Sequence, residues 1–374
     1  MKILIVNFEY PPLGGGGGVA TSQVAEELAR RHEVHVLTTR FGDSAREEKM
    51  NGVNIHRVNV MGRNRLSTAS LISLVAFAPA AGWRGMILCW GKKFDVINAQ
   101  FVVPSGVPAV ILAKLFRIPF VLSFIGGDIF DPSKGISPHR YAVLRWLIRL
   151  IAKQAQARTA ISEDTKRRAR ELHKVRGDIV VTHLGVEKWG NVVSLPETGG
   201  RRYFISVGRL IPRKRYETLL EAWREIECDL IIVGSGPLED GLKNRIRVWG
   251  LDNKVSLTGF VSEDQKRKLL MGAIGYVSAA EHEGFGIVFL EAMQAGLPIV
   301  ATDTGGQTDF LSRGENALLA RPGDVSALRA AINEILGDDA LREKMKDNNK
   351  RKVQSFYLER TTADFERVLV RAVV

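Results

Sequence analysis

The 374-residue chain reads as an α/β protein of two domains, each built on a parallel sheet with helices on both faces. Three observations predict this. Short apolar runs rich in Val, Ile and Leu alternate with helical patterns along the chain. The alternation pauses once, over a polar stretch containing Pro196, Gly199 and Gly200, and then restarts. The length also exceeds what one hydrophobic core ordinarily serves. With 45% hydrophobic and 25% charged residues, the composition is that of a soluble globular protein.

In the first half the strand-like runs are 3–8, 34–39, 53–60, 96–99, 120–124, 159–161 and 179–182, with helical patterns between them that include 20–31, 107–116 and 142–153. After the pause come 203–207, 230–233, 255–257, 276–278 and 299–302. Two such series predict two Rossmann-like domains, 1–186 and 203–355, joined by a linker at 187–202. Open parallel sheets bind ligands beyond the carboxyl ends of their strands, so a cleft between the domains is the expected place for chemistry.

Cys89 and Cys228 are far apart and fit neither a disulfide scaffold nor a zinc site, so a reducing cytosol suits the chain best. The start, Lys2-Ile-Leu-Ile-Val6, reads as a core strand rather than a signal peptide. The net charge of +12 is polarised: residues 1–185 carry 26 Lys+Arg against 14 Asp+Glu, and residues 186–374 carry 27 of each. Lys134–Arg176 alone holds 12 basic and 3 acidic residues. A nucleic-acid platform would interleave aromatics with such a region, and few are present. The polarisation points instead to a surface that meets something anionic.

The most informative stretch is Glu281-His-Glu-Gly-Phe-Gly-Ile-Val-Phe-Leu-Glu-Ala-Met-Gln-Ala-Gly296, between apolar runs at 276–277 and 299–301. It reads as strand, glycine-punctuated turn, helix and strand, which is one βαβ unit. Gly284 and Gly286 permit close backbone approach to a ligand, with the following helix N-terminus aimed at it. Glu283 lies in the turn. Glu291 is the only charge in an otherwise apolar helix, and a buried carboxylate needs a hydrogen-bonding partner. Two carboxylates beside an electropositive turn suit a ligand with phosphate and hydroxyls. The structural alternative, a dipole-favouring Glu283 and a core-paired Glu291, stays open from the residues alone.

Glu-x7-Glu around Gly284-Phe285-Gly286, followed by Glu-Ala-Met, Ala-Gly-x-Pro-Ile-Val and Gly305-Gly306, resembles the donor-site signature of family 4 glycosyltransferases. These are retaining enzymes of the GT-B fold. Gly208-Arg209 and Lys214 match the family's Gly-Arg, four residues, Lys; Arg215 stands where the family often has Gly. Cations at a strand's carboxyl end stabilise a diphosphate as its negative charge grows. The resemblance implies two Rossmann-like domains facing across a cleft, with the last helix, 356–374, crossing back to the first domain. It implies transfer of a sugar from a UDP- or GDP-linked donor, with no cofactor and no metal. Glu283 would contact the donor sugar, Glu291 the ribose, and Arg209 and Lys214 the diphosphate. Gly17 and Gly18, in the run Gly14–Gly18, would meet phosphate. Thr258-Gly-Phe-Val261 resembles the segment that meets the base, so Val261 is a candidate there. Val233-Gly-Ser-Gly-Pro237 matches a further family segment, and both segments read equally well as ordinary strand-to-helix turns.

Two positions depart from the family. Ile125 stands where many members carry a His near the reacting sugar, although Gly126, Gly127 and Asp128 remain, and Asp128 is a candidate donor or acceptor contact. Leu184 replaces a common Asn before Gly185-Val186. His282 reads as structural. Another GT-B activity is the nearest rival: an epimerase would lack this Arg/Lys and Glu-x7-Glu set, and a phosphorylase would need a pyridoxal lysine that the sequence does not identify.

On the acceptor side, residues 66–82 are uncharged and largely apolar, with Trp83 and Trp90 nearby. The stretch is too short and too interrupted by Pro79 to read as a transmembrane span, and it fits either a core helix or a membrane-facing one. Residues 141–153 place Leu144, Leu147, Ile148 and Ile151 on one helical face and Arg145, Arg149 and Lys153 on another. The expected setting is cytoplasmic, peripheral on an anionic membrane, with a lipid-linked or glycan acceptor.

Overall fold

The computed structural model describes residues 1–63, 70–133, 136–190 and 202–374. Residues 66–69 of the uncharged stretch, Lys134, and most of the 187–202 linker lie outside the described residues. The chain divides into two compact units, Met1–Gly185 with Leu358–Val374, and Val186–Tyr357.

The first unit holds strands β1 (Lys2–Asn7), β2 (Glu33–Thr39), β3 (Glu47–Met50), β4 (Val53–Val58), β5 (Val96–Gln100), β6 (Phe120–Phe124), β7 (Ala157–Ala160) and β8 (Val180–Val181). Its helices are α1 (Gly16–Ala29), α2 (Leu71–Gly91), α3 (Gly106–Phe116), α4 (Ala142–Gln154) and α5 (Glu163–Glu171). The strands form one sheet in the order β3-β4-β2-β1-β5-β6-β7-β8, parallel except for β3. Alternation along β1 explains both layers. Ile3 and Ile5 face Ala25 and Leu28 of α1, while Leu4 and Val6 join Phe77 of α2, Leu112 of α3 and Ile148 of α4. Strand β3, Glu-Glu-Lys-Met, has no apolar run to announce it and sits at the sheet edge, where charge is tolerated.

The second unit holds β9 (Tyr203–Val207), β10 (Asp229–Val233), β11 (Val255–Gly259), β12 (Gly275–Val277), β13 (Ile299–Thr302) and β14 (Ala317–Ala320). Between and after them run α6 (Tyr216–Trp223), α7 (Glu239–Val248), α8 (Glu263–Gly272), α9 (Ile287–Gln294), α10 (Val325–Gly337) and α11 (Asp339–Lys352). All pairings are parallel, in the order β11-β10-β9-β12-β13-β14. Strand β14, Ala-Leu-Leu-Ala, lacks the β-branched residues that mark the other strands of this sheet, and no run in the sequence predicts it. The last helix, α12 (Leu358–Val373), belongs to the first unit. It buries Phe365, Val368 and Leu369 on the α1 side of the sheet, while Val370 faces solvent. Glu366 ties it to the end of α1 by pairs of 2.6 Å to both Arg31 and His32.

Both sheets thus share the doubly wound order. In each, the first strand has neighbours whose connections leave in opposite directions, and the crevice this opens lies between β1 and β5 in the first unit and between β9 and β12 in the second.

Candidate active site

In the second unit the segments leaving β9 and β12 carry the predicted residues. From β9 the chain runs through Gly208 and Arg209, and Leu210 is pinned by its N–H to Ser235 O (3.0 Å) and its O to Leu238 N–H (3.1 Å). The Gly234-Ser-Gly236 turn therefore supports the backbone beside Arg209, which itself is half-buried. A short turn, Pro212–Lys214, follows and ends on Arg215 in a left-handed conformation (φ 51°). That geometry explains why glycine suits position 215. Here the arginine is retained and pairs with Glu281 (2.6 Å).

From β12 the chain turns through Glu281–Gly286 into α9, with Gly286 at the N-cap. The two segments meet: Glu281 N–H donates to Arg213 O (2.8 Å), and Arg213 Nη1 donates to His282 O (3.0 Å). Lys214 Nζ donates to Glu283 Oε1, and Arg213 Nη1 lies 3.3 Å from Glu283 Oε2. Burial pushes the Glu283 carboxyl up, but Lys214 and then Arg213 overcome it and hold the pKa down to about 2. Glu283 is therefore an ionised acceptor at neutral pH. Gly306 closes the turn from the far side, its N–H donating to Glu283 O (2.8 Å). A Cβ at Gly306 would stand 2.1 Å from Gly284 O, so no larger residue fits. Phe285 is buried and packs edge-on against Phe310 (5.2 Å).

Glu291, on α9, is buried and bonded to Lys266 Nζ of α8 at 2.8 Å. Its second oxygen, Oε2, is buried with no hydrogen-bond partner among the described residues. Burial raises the Glu291 pKa against the pull of Lys266. Burial would lower that of Lys266, but Glu291 and Glu263 carry it above the usual lysine value. Val261 is half-buried between Phe260, which is 85% exposed, and Ser262, which caps α8.

The remaining predicted residues are in the first unit. The glycine run is not an open loop throughout: Gly16, Gly17 and Gly18 form the first turn of α1. A Cβ at Gly17 would lie 2.5 Å from the Phe101 ring, and the Gly18 N–H is bonded to Gly15 O (3.0 Å). These contacts give both glycines a place in the packing of the first unit, beside the phosphate contact expected of them. Asp128 is also committed to the fold. Its Oδ2 accepts from Val102 N–H (2.7 Å) and its Oδ1 from Ile125 N–H (3.1 Å), so it clamps two loops. Ile125, Gly17, Thr21, Gln100, Ser123 and Thr159 are among the residues around a small cavity at the carboxyl ends of the strands. A buried polar chain runs beside it: Gln100 Nε2 donates to Asn98 Oδ1 (2.8 Å), Asn98 Nδ2 to Ser123 Oγ (3.0 Å), and Thr159 Oγ1 to Ser123 Oγ (2.9 Å).

Two participants escape a reading of residues alone. Arg213 precedes a recognised lysine in a basic run, so adjacency was the available signal. Lys266 sits in Glu-Asp-Gln-Lys-Arg-Lys, where no pattern separates it from its neighbours.

The fold and these residues define a two-unit α/β protein with an anion-ready, carboxylate-bearing crevice at a switch point. Residues 188–352 match the family described as glycosyl transferases group 1, and residues 15–185 match the glycosyl transferase 4-like domain. An uncharacterized glycosyltransferase of Methanocaldococcus jannaschii is 28% identical over 383 residues, covering 96% of this chain and 94% of its own. Among solved structures, sucrose-phosphate synthase from Thermosynechococcus elongatus superposes with a TM-score of 0.85 at 18% identity, covering 99% of each chain. Anabaena HepE in complex with UDP-glucose superposes with a TM-score of 0.77 at 19% identity, covering 99% of this chain and 100% of that one. The chain belongs to the group 1, family 4 glycosyltransferases and has the GT-B fold. It is a glycosyltransferase, of the retaining family that draws on nucleotide sugars.

Proposed function

We propose that the enzyme transfers a hexosyl group, with retained configuration, from a UDP- or GDP-linked sugar to a lipid-linked or cell-envelope glycan acceptor. The observation that carries this reading is the pairing of Lys214 and Arg213 with ionised Glu283 at the β9/β12 crevice. An ammonium has three donors, so Lys214 can hold Glu283 and still reach a phosphate oxygen. Arg209, Lys214 and Arg213 would stabilise the leaving diphosphate, taking the part a metal plays elsewhere. Glu283 would accept from donor-sugar hydroxyls, framed by Gly284, Phe285 and Gly286. Glu291 would turn its second oxygen to the ribose, and Val261 would border the base. In the first unit, the start of α1 at Gly17 and Gly18 would be a further anion-binding element, its close packing leaving only backbone to face the phosphate. HepE, solved with UDP-glucose, supports the donor class.

The acceptor side is proposed to dock from the cytoplasm on an anionic membrane. Support comes from the net charge, all of which falls in residues 1–185, and from Arg149 and Lys153, which are exposed on α4. The test of the transfer reading is product NMR after reaction with a panel of UDP- and GDP-sugars in EDTA. A product with the donor's anomeric configuration is expected. An inverted product, or activity lost in EDTA and restored by Mn²⁺, overturns the mechanism.

A further inference from the structure

Helix α2 is the one described helix long and apolar enough to cross a membrane. Its packing forbids that role. Phe77, Ala81 and Leu88 are locked into the core against the sheet and α3, and a Cβ at Gly85 would stand 2.3 Å from Leu112. The opposite face is bare. Ile72, Val75, Trp83, Ile87 and Trp90 recur at helical spacing along it, with Trp83 68% and Trp90 88% exposed. At about 1.5 Å per residue the helix is roughly 30 Å long, so this is an extended stripe rather than a scattered residue or two.

The stripe continues across the layer. Ile111 and Leu115 are exposed on neighbouring α3, and Val143, Trp146 and Leu150 on α4. The α4 set is a third face of that helix, distinct from its core-facing isoleucines and from its arginines. The three helices contain no Asp or Glu and five basic residues: Arg84, Lys114, Arg145, Arg149 and Lys153. Arg84 is paired to Glu47 of β3, while Lys114, Arg149 and Lys153 are exposed beside the apolar side chains. An acid-free layer with outward Trp, Ile and Leu and flanking cations is complementary to an anionic bilayer: acyl chains for the stripe, headgroups for the cations.

We infer that the α2–α3–α4 layer is embedded in one leaflet, with α2 lying flat and Trp83 and Trp90 below the headgroups. This rests on the proposal that the first unit works at a lipid surface, and it adds a specific consequence. Electrostatic docking fades with salt; embedding by apolar area persists.

The test is co-sedimentation of the full chain with phosphatidylcholine/phosphatidylglycerol vesicles at low salt and at about 1 M NaCl, where the Debye length is only ~3 Å. The wild type is expected to remain bound in part at high salt, with its tryptophan emission quenched by brominated phosphatidylcholine. Trp83→Ser/Trp90→Ser should lower the high-salt partition by about tenfold or more for each tryptophan removed and relieve the quenching, with nucleotide-induced thermal shift unchanged. Arg149→Glu/Lys153→Glu should weaken only the salt-sensitive part. Complete release of the wild type by salt, or no quenching, overturns embedding while leaving electrostatic docking and sugar transfer standing. A lipid-free dimer in light scattering, abolished by the double tryptophan variant, would assign the face to a second copy and overturn the proposal.

Discussion

The two units wind their strands in the same order, yet their switch-point crevices carry opposite chemistry. Beside β9 and β12 stand half-buried Arg213 and Lys214 and buried Glu283, a charge cluster with the carboxylate held ionised. The small cavity at the corresponding ground of the first unit is faced by uncharged side chains, Thr21, Gln100, Ser123 and Thr159, with the apolar Ile125, while Asp128 beside it is bonded to backbone N–H groups. The fold therefore determines where a ligand can sit, and the side chains at the strand ends determine what it can be. A cation cluster suits a leaving diphosphate. An uncharged polar network suits hydroxyls, which need partners but no counter-charge.

Removing a cation from the charged crevice should give the largest effect. Arg209→Ala is expected to cut turnover by about two orders of magnitude or more, the cost of one preorganised electrostatic donor. Gln100→Leu in the neutral crevice should leave the thermal shift produced by UDP or GDP unchanged. Comparable loss of nucleotide binding in both variants would show that the contrast does not separate the units' roles. A folded Arg209→Ala enzyme with near-normal turnover would remove that arginine from the diphosphate site.

A middle-sized effect should follow from neutralising the carboxylate. Glu283→Gln leaves Lys214 and Arg213 facing an amide, and a loss of about 2 kcal/mol of stability at neutral pH is expected. The sign follows from its depressed pKa. Glu283 stabilises the fold fully above the ordinary carboxylate range and loses that contribution as pH falls through that range towards about 2. Denaturant unfolding of both proteins should therefore show a gap at pH 7 that narrows on acidification. A gap independent of pH would mean that the ion pairs contribute nothing.

Much of this organisation is legible in the residues because buried parallel strands are continuous apolar runs, and β6, β9 and β13 match their runs end to end. Glu283 and Glu291 stand out because charges are conspicuous in an apolar, glycine-bounded segment. What stays hidden has physical causes. Strand β3 is polar and β14 is made of good helix formers, so neither carries a strand signal. Side chains that act only through a distant partner, such as Lys266 across α8 and α9, have no local signature. The packing of the glycines at 17 and 18 is hidden until Phe101 and Gly15 are brought against them. A largely apolar helix such as α2 also has two apolar faces, and only packing shows which one the core leaves bare.

The smallest effect, and the sharpest limit on the charged crevice, concerns Arg215. It holds a left-handed conformation that costs a non-glycine residue about 1–2 kcal/mol, and its guanidinium is spent on Glu281 in a half-exposed pair. Arg215→Gly relieves the strain but frees the unfolded chain by roughly 0.5–1 kcal/mol and gives up a pair worth about 0–1 kcal/mol. These terms nearly cancel, so stability should stay within about 1 kcal/mol of the wild type. Turnover should hold too, because glycine preserves the turn that presents Lys214. Arg215→Val, with a β-branched side chain forced to positive φ, should instead lose stability and turnover together. Thermal melts and donor kinetics on the two variants decide the matter. If Arg215→Gly melts normally but loses turnover, the guanidinium itself belongs to the anion site, and the charged crevice extends beyond Arg209, Arg213 and Lys214.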